Sequence, residues 1–379
     1  MKFIHLSDLH LGLRLDEYPM TDSQEYILDQ ILSVIDAEAA DAVLIAGDIY
    51  DKSVPPTEAV ELFDRFLTAL AARRLPVFVI SGNHDSAERI AFGARLMDAS
   101  GIHLSPVYDG TVTPTELTDE YGPVRVWLLP FLRPANVRRF FEGEEVESYT
   151  DAVRLAVGAM QIDPSVRNVL VTHQFVTGAR RSDSERVSVG GADNVDASVF
   201  APFDYTALGH LHSPQNCGSE KIRYCGTPLK YSFSEAEDVK SVTVAELGEK
   251  GSLTVRTVPL IPKYDMADLR GSYDELMLRS FREGKTWEDD FVRITLTDEE
   301  DVPYAVSKLR TVYHRLLRLA YDNGRTRAGE DAASAGAAVQ ATPLEQFADF
   351  YEKQNGRPMT EEQTAYMAAL IGTIWEENA

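Results

Sequence analysis

The chain is expected to fold as an α/β layered sandwich, and three features of the sequence carry that expectation. Short unbroken apolar runs rich in β-branched residues recur through the first half. Amphipathic helical patterns lie between them. Each run stops at a small block of Asp, Asn or His. Alternating strand and helix patterns give a sheet layered with helices. Open α/β sheets hold ligands beyond the carboxyl ends of their strands, which is where these blocks fall.

The first run is Phe3-Ile4-His5-Leu6, followed by Ala42-Val43-Leu44-Ile45-Ala46, Val77-Phe78-Val79-Ile80 and Val169-Leu170-Val171. Their continuity is that of strands buried on both faces. Between them, residues 24–37 place Ile27, Leu28, Ile31, Leu32 and Ile35 on one helical stripe. Residues 58–72 repeat the pattern through Val60, Phe63, Leu67 and Leu70. After residue 212 the texture changes to hairpin strands around Ile222-Arg223-Tyr224-Cys225, residues 241–245 and residues 253–258, with a turn at residues 248–251.

Pro259 and Pro262 mark a boundary, and a smaller α+β unit is expected from residue 263 to about 329. It should contain a helix near residues 273–281, a strand at residues 291–296 and a helix at residues 303–319. Asn323-Gly324 would cap the last in left-handed conformation. Residues 330–341, rich in Ala, Gly and Ser, read as a linker. Two short helices follow. Thr342-Pro343-Leu344-Glu345 and Thr360-Glu361-Glu362-Gln363 supply their start signals, and Gly356 and Pro358 separate them. The second carries Tyr366, Met367, Leu370, Ile371 and Ile374 on one stripe.

At 379 residues the chain exceeds one ordinary core, and its 44% hydrophobic content is that of a globular protein. No apolar run approaches the roughly 18–20 residues of a membrane span, and the N-terminus lacks a signal-peptide pattern, so a cytoplasmic location with no membrane partner is expected. Cys217 and Cys225 could pair across strands, but two free thiols in a reducing compartment are preferred. The net charge of −23 argues against DNA binding by the whole surface, although bound metal ions reverse the sign locally. Arg133/Arg138/Arg139 and Arg180/Arg181 form basic clusters, which could equally be solvated faces.

The chemistry lies in five blocks: Asp8-Leu9-His10, Gly47-Asp48-Ile49-Tyr50-Asp51, Gly82-Asn83-His84-Asp85, Thr172-His173 and Gly209-His210-Leu211-His212. They hold five of the eight histidines. Asp8 and His10, two apart, can chelate one ion. Asp48 follows a strand and a glycine, and a carboxylate can bridge two ions. Asn83 offers a neutral oxygen, His84 can reach a phosphate without being a ligand, and Asp85 could hold its tautomer. His210 and His212 offer one imidazole to each of two ions, and His173 adds a nitrogen. Oxygen and imidazole donors without thiolate favour hard or borderline ions, and two such ions activate water at a phosphoryl centre. Singly, each block is more often an ordinary turn or a structural histidine, and His5, His103 and His314 are left as structural.

These residues resemble the calcineurin-like metallophosphoesterases and, among them, the SbcD family of bacterial nuclease subunits. The resemblance spans nearly the full length. It extends through His5-Leu6-Ser7-Asp8-Leu9-His10-Leu11-Gly12, Ser53-Val54-Pro55-Pro56, Pro130-Phe131-Leu132-Arg133-Pro134, Ala207-Leu208-Gly209-His210 and Arg223-Tyr224-Cys225-Gly226-Thr227-Pro228. Protein phosphatases of the superfamily carry Arg-Gly and Glu where this chain has Lys52-Ser53 and Asp85.

The resemblance implies a four-layer sandwich over residues 1–262, a small α+β capping domain that contacts DNA over 263–329, the linker 330–341, and a helical segment 342–379. That segment would dock an SbcC-like SMC-family ATPase. It implies two Mn²⁺, with Mg²⁺ or another divalent ion as the alternative: one held by Asp8, His10, Asp48 and His212, the other by Asp48, Asn83, His173 and His210. His84 would stabilise or protonate the leaving 3′ oxygen, with Asp85 orienting it. Asp51, Arg133 and Lys230 would position substrate, although relatives often carry His at the Asp51 position. The implied activity is a DNA exo- and endonuclease (3′–5′, hairpin and end processing) in double-strand-break repair, recombination and replication. The nuclease subunit would act as a homodimer at the nucleoid. A small-molecule or nucleotide phosphodiesterase, and an inactive scaffold subunit, are the competing readings.

Overall fold

The computed structural model describes residues 1–180, 182, 194–324, 326, 344, 347–348, 351–352 and 357–377. Arg181, the linker 330–341 and the start signal at Thr342-Pro343 lie outside the described residues.

Two six-stranded sheets form the larger part. The first runs in the order Leu253–Pro259, Ser241–Leu247, Lys2–Leu6, Ala42–Ala46, Val77–Ile80, Ile102–Leu104. The second runs Gln215–Cys217, Ser219–Tyr224, Tyr205–Gly209, Arg167–His173, Gly122–Leu129, Thr115–Asp119. Central pairs are parallel, such as Lys2–Leu6 on Ala42–Ala46 and Arg167–His173 on Tyr205–Gly209. The outer hairpins are antiparallel.

The layering follows from the period of two along each strand. In Ala42–Ala46, Ala42, Leu44 and Ala46 enter the core between the sheets with Phe3, Phe78, Val126 and Val171. Val43 and Ile45 face the other way, onto Ile27, Ile31, Phe63 and Leu70 of the helices Thr21–Glu38 and Thr57–Ala72. The outer face of the second sheet is covered by Val153, Ala156 and Val157 of the helix Tyr149–Gly158. Strands with both faces buried have no room for polar alternation, which explains their unbroken apolar runs. The result is the expected α/β four-layer sandwich.

Two details differ from the sequence reading. Val60 is 44% exposed, whereas Phe63, Leu67 and Leu70 are buried as expected and Ala59 and Phe66 join them. The expected helix at 303–319 is a one-turn helix, Ala305–Leu309, followed by a strand, Arg315–Tyr321. That strand completes a three-stranded sheet, in the order Met266–Gly271, Phe291–Leu296, Arg315–Tyr321. Leu316 is buried and Arg318 exposed, and the backbone pairing available there overrides a helical propensity worth only tenths of a kcal/mol per residue. Residues 273–281 likewise form two short helices, Tyr273–Met277 and Arg279–Arg282.

By compactness the chain divides into two units: Met1–Leu269 with Arg282–Arg293 and Val306–Arg318, and Arg270–Phe281 with Ile294–Ala305 and Leu319–Ala379. In the second, the helix Glu361–Glu377 opens on a capping box, Thr360 N donating to Gln363 Oε1 (3.0 Å) and Gln363 N to Thr360 Oγ1 (3.2 Å). Tyr366 and Leu370 on this helix are 68% and 37% exposed. Cys217 and Cys225 are free, buried thiols. Among the described residues no helix is long and apolar enough to cross a membrane.

Trp127, 1% exposed, fills the core behind the second sheet and donates Nε1–H to Asn168 Oδ1 at 3.0 Å. Trp127→Ala is expected to lower unfolding free energy by about 3–5 kcal/mol. Urea denaturation checks this, and a loss under about 1 kcal/mol would place the residue outside the cooperative core.

Candidate metal centre

The ligand blocks meet because the loops after the strands are tied to one another. Asp8 N donates to Gly47 O (2.9 Å), His10 N to Asp48 O (3.0 Å) and Leu11 N to Ile49 O (2.9 Å), so blocks one and two run side by side. Asp8, His10, Asp48 and His210 all have positive φ (53°, 44°, 49° and 105°), a left-handed conformation uncommon outside glycine. Such strain persists where surrounding contacts over-determine it, typically at functional sites. A Cβ on Gly82 would lie 2.1 Å from Asp48 Oδ1, and one on Gly209 would lie 1.9 Å from Ala46 O. Only glycine lets blocks three and five approach block two so closely.

Seven side chains converge there. Ligand atoms of Asp8, His10 and His212 lie within 4.8 Å of one another, as do those of Asp8, Asp48 and His173. His10 Nε2 faces His212 Nε2 at 3.2 Å. Asn83 Oδ1 sits 2.9 Å from both His173 Nε2 and His210 Nδ1. Asp48 Oδ2 lies 3.3 Å from His173 Nε2 and 3.8 Å from His10 Nε2, between the two groups. His173 Nδ1 donates to Ala46 O at 2.8 Å, which leaves Nε2 as the ring nitrogen that faces those oxygens.

This donor set fits divalent cations. Acceptor atoms converge on a buried space with few protons to share, and a cation is what neutralises such an arrangement. Burial raises the Asp8 carboxyl to about 6, with Asp48 adding to the rise and His173 opposing it. Burial works against charging His173, yet Asp48 beside it holds the imidazole up at about 9. Both shifts express the same demand for positive charge between the carboxylates.

Support comes from behind the ligands. His210 N donates to both Asp8 oxygens at 3.1 Å, and the Ser7 hydroxyl donates to Asp8 Oδ2. His212 Nδ1 faces Glu235 Oε1 at 3.5 Å. Lys240 Nζ donates to Glu235 Oε2 (2.6 Å) and to His212 O (2.9 Å). Glu235 is fully buried. Burial opposes its charge, but His212 and Lys240 prevail and hold its carboxyl well below the usual range. A carboxylate on the far nitrogen of a ligating imidazole aims the near nitrogen at the metal. The sequence reading missed Glu235 and Lys240. Nothing in Phe233-Ser234-Glu235-Ala236-Glu237 sets one acid apart until the fold buries it.

His84 and Asp51 join the cluster, with ligand-type atoms of His10, Asp51 and His84 within 4.8 Å of one another. The His84 ring meets His10 edge-on, centroids 4.9 Å apart. Its backbone N donates to Asp48 Oδ1 at 2.8 Å, and its Nδ1 to the Asp51 carbonyl at 2.9 Å. The expected pairing of Asp85 with the His84 ring is not formed. Asp85 accepts from the backbone N–H groups of Ile49 (3.1 Å), Tyr50 (3.0 Å) and Gly82 (2.9 Å). It is therefore a positioning residue that clamps blocks two and three, and burial together with Asp48 lifts its carboxyl to about 6.

Lys230 is paired with Asp265 (2.9 Å) and the Ala236 carbonyl (2.5 Å), not with the ligand cluster. Arg133 is exposed at the start of the helix Pro134–Arg138, two residues past Phe131, whose ring meets His173. His5 bonds Tyr205 OH and Leu208 O, and His103 and His314 pair with Asp98 and Asp289, as structural histidines do.

Glu235→Gln keeps the volume of the side chain but removes the charge facing His212. It is expected to weaken binding of one of two metal equivalents by roughly 10–100-fold, measured by calorimetric titration of the metal-stripped protein. Unchanged affinity for both equivalents would remove Glu235 from the metal's support. Gly82→Ala should lose metal altogether in the same titration, because its Cβ would lie only 2.1 Å from Asp48 Oδ1 and push that carboxylate away.

Residues 1–214 match the calcineurin-like phosphoesterase family model, and residues 262–355 match a model described as the type 5 capsule protein repressor C-terminal domain. The chain is 31% identical over 323 residues to the SbcD subunit of nuclease SbcCD from Staphylococcus epidermidis, covering 84% of this chain and 85% of that protein. It is also similar to two solved structures, each at 13% identity. TT1561 of Thermus thermophilus has a TM-score of 0.37, covering 68% of this chain and 98% of that one. A dimetal phosphatase from Danio rerio has a TM-score of 0.42, covering 69% and 98%. The fold, the donor set and the matched residues together make this chain a member of the calcineurin-like phosphoesterase family, in its SbcD branch.

Proposed function

We infer that the chain is a two-metal-dependent DNA nuclease, the nuclease subunit of a complex with an SbcC-like SMC-family ATPase. The observation that carries this is the five-block centre in a chain that matches the SbcD subunit of nuclease SbcCD over most of both lengths. The finer reading is Mn²⁺-dependent 3′–5′ exonuclease and endonuclease activity on DNA ends and hairpins, serving break repair, recombination and replication in the cytoplasm at the nucleoid. Residues 1–262 would be the nuclease domain and 263–329 the cap over DNA. Residues 342–379, tethered by 330–341, would be the ATPase-docking segment, and the nuclease subunit would work as a homodimer. The exposed Tyr366 and Leu370 on an amphipathic helix support the docking role, since such faces are what helix-in-groove partners cover.

Asp8, His10, Asp48 and His212 would hold one divalent ion and Asp48, Asn83, His173 and His210 a second, and such a pair would supply an activated water and charge neutralisation at phosphorus. The residues do the rest. Asp48 lies between the two groups of donors and would serve both. His84, with Nδ1 tied to the Asp51 carbonyl, presents Nε2 beside the site for the proton that the departing 3′ oxygen takes. Asp85, by clamping Gly82 to Ile49 and Tyr50, keeps that imidazole in register. The net charge of −23 favours the competing reading, a nucleotide or small-molecule phosphodiesterase.

Purified protein with Mn²⁺, with and without the ATPase, is expected to cut linear duplex and hairpin DNA. Turnover of cyclic nucleotides without DNA cleavage would establish the competing reading. His84→Gln should keep two metal equivalents and lose roughly 10²–10⁴-fold in cleavage rate, the usual worth of a general acid. Deleting 342–379 should abolish ATPase binding in a pull-down while Mn²⁺-dependent cleavage persists; retained complex would refute the docking role.

A further inference from the structure

Beside the metal centre, and separated from it by one aromatic ring, lies a cavity of about 290 Å³ that the mechanism leaves unused. Tyr231 forms part of its wall, and the same ring stands 5.7 Å from His10 and 6.3 Å from His212. Three arginines line it: Arg14 from the two-residue strand Arg14–Leu15, Arg293 from the strand Phe291–Leu296, and Arg318 from the strand Arg315–Tyr321. Asp16 is the one carboxylate in the lining.

The arginines of this chain differ in whether they meet a carboxylate. Arg65, Arg73, Arg167 and Arg256 each close on a carboxylate. In the cavity Arg293 does so with Asp268 and stacks over Phe233, 4.9 Å from its centroid. Arg14 donates only to the Glu17 carbonyl, and Arg318 has no hydrogen bond or ion pair among the described residues. In a protein of net charge −23, two guanidinia from distant parts of the sequence thus face one concavity without a carboxylate partner. The planar fork of arginine matches phosphate oxygens, and a phosphate contributes the charge that the pair lacks.

We propose that this cavity is a phosphate-binding subsite, in which Arg14 and Arg318 hold a backbone phosphate of the polynucleotide strand adjacent to the phosphate being cut. The assignment rests on the nuclease reading above. A strand rises roughly 3.4 Å per nucleotide, and the Tyr231 ring that walls the cavity stands 5.7 Å from His10 and 6.3 Å from His212, a distance of the order of one to two nucleotides. The subsite gives an acidic protein a local grip on an acidic polymer. The same guanidinia could bind the phosphate of a released mononucleotide, and the experiment separates the two.

The test uses the full chain with Mn²⁺ in a His84→Gln background, so that a labelled single-stranded 15-mer stays intact. Its binding is followed by fluorescence anisotropy across a KCl series. Arg14→Gln/Arg318→Gln is expected to weaken binding about tenfold and to reduce the log–log salt slope by roughly 1.4, about 0.7 for each single-strand phosphate that is no longer neutralised. Metal stoichiometry should remain two, and Arg14→Lys/Arg318→Lys should restore most of the slope. Unchanged affinity and slope in the Gln pair would overturn the proposal, as would equal losses in the Gln and Lys pairs, which would assign the arginines to packing. Loss of dAMP binding with oligonucleotide binding intact would also overturn it, making the cavity a product site. If the parent hydrolyses cyclic nucleotides yet neither binds nor cuts DNA, the nuclease reading itself fails, and the subsite falls with it.

Discussion

The structure depends on bringing two carboxylates, Asp8 and Asp48, into a buried space shared with four imidazoles and an amide oxygen. Isolated, such charges would be costly to bury. Here they are reached by two strands of one sheet, while His173 and His210 arrive from the other. The contact between the sheets is therefore also the contact between the halves of the metal centre. Gly82 and Gly209 mark how close that contact is, since any Cβ would collide with Asp48 or with the Ala46 carbonyl. Core packing and chemistry share one geometric requirement.

Around the ligands the protein divides its polar groups by task. Asp85 and Glu235 look alike in sequence but act on different parts. Asp85 gathers three backbone amides and holds two loops together, whereas Glu235 takes the far side of His212 and is itself anchored by Lys240. The His84 tautomer is set by a backbone carbonyl, that of Asp51, and not by a carboxylate. A neutral acceptor there fixes Nδ1–H without adding a further negative charge to a site already rich in them.

The acidity of the chain is unevenly placed. Residues 330–379 carry nine acids and two bases, well away in sequence from the ligand blocks. The centre's own carboxylates are those that metal ions would neutralise. Arginines from residues 14, 293 and 318 gather at its margin. Net charge is a statement about the whole molecule, whereas recognition depends on the field within a Debye length of the site.

How much of this was legible in the sequence differs by kind of information. The buried strands, the helices Thr21–Glu38 and Thr57–Ala72, and the block after each strand could be read directly, because apolar periodicity and ligand residue type are local properties. The capping box at Thr360 was legible for the same reason. The segment 303–319 reads as helix locally, because its strand exists only through pairing with Phe291–Leu296, a partner the local pattern does not contain. Glu235, Lys240 and the true partners of Asp85 and His84 were invisible because each is defined by burial and by contacts across the fold. By itself the sequence determined the donor types, their order and the sheet that carries them. The tertiary structure alone decided which donors meet, which acids stand behind them and that Arg14, Arg293 and Arg318 share one cavity. Those are matters of distance between segments that chain order does not encode.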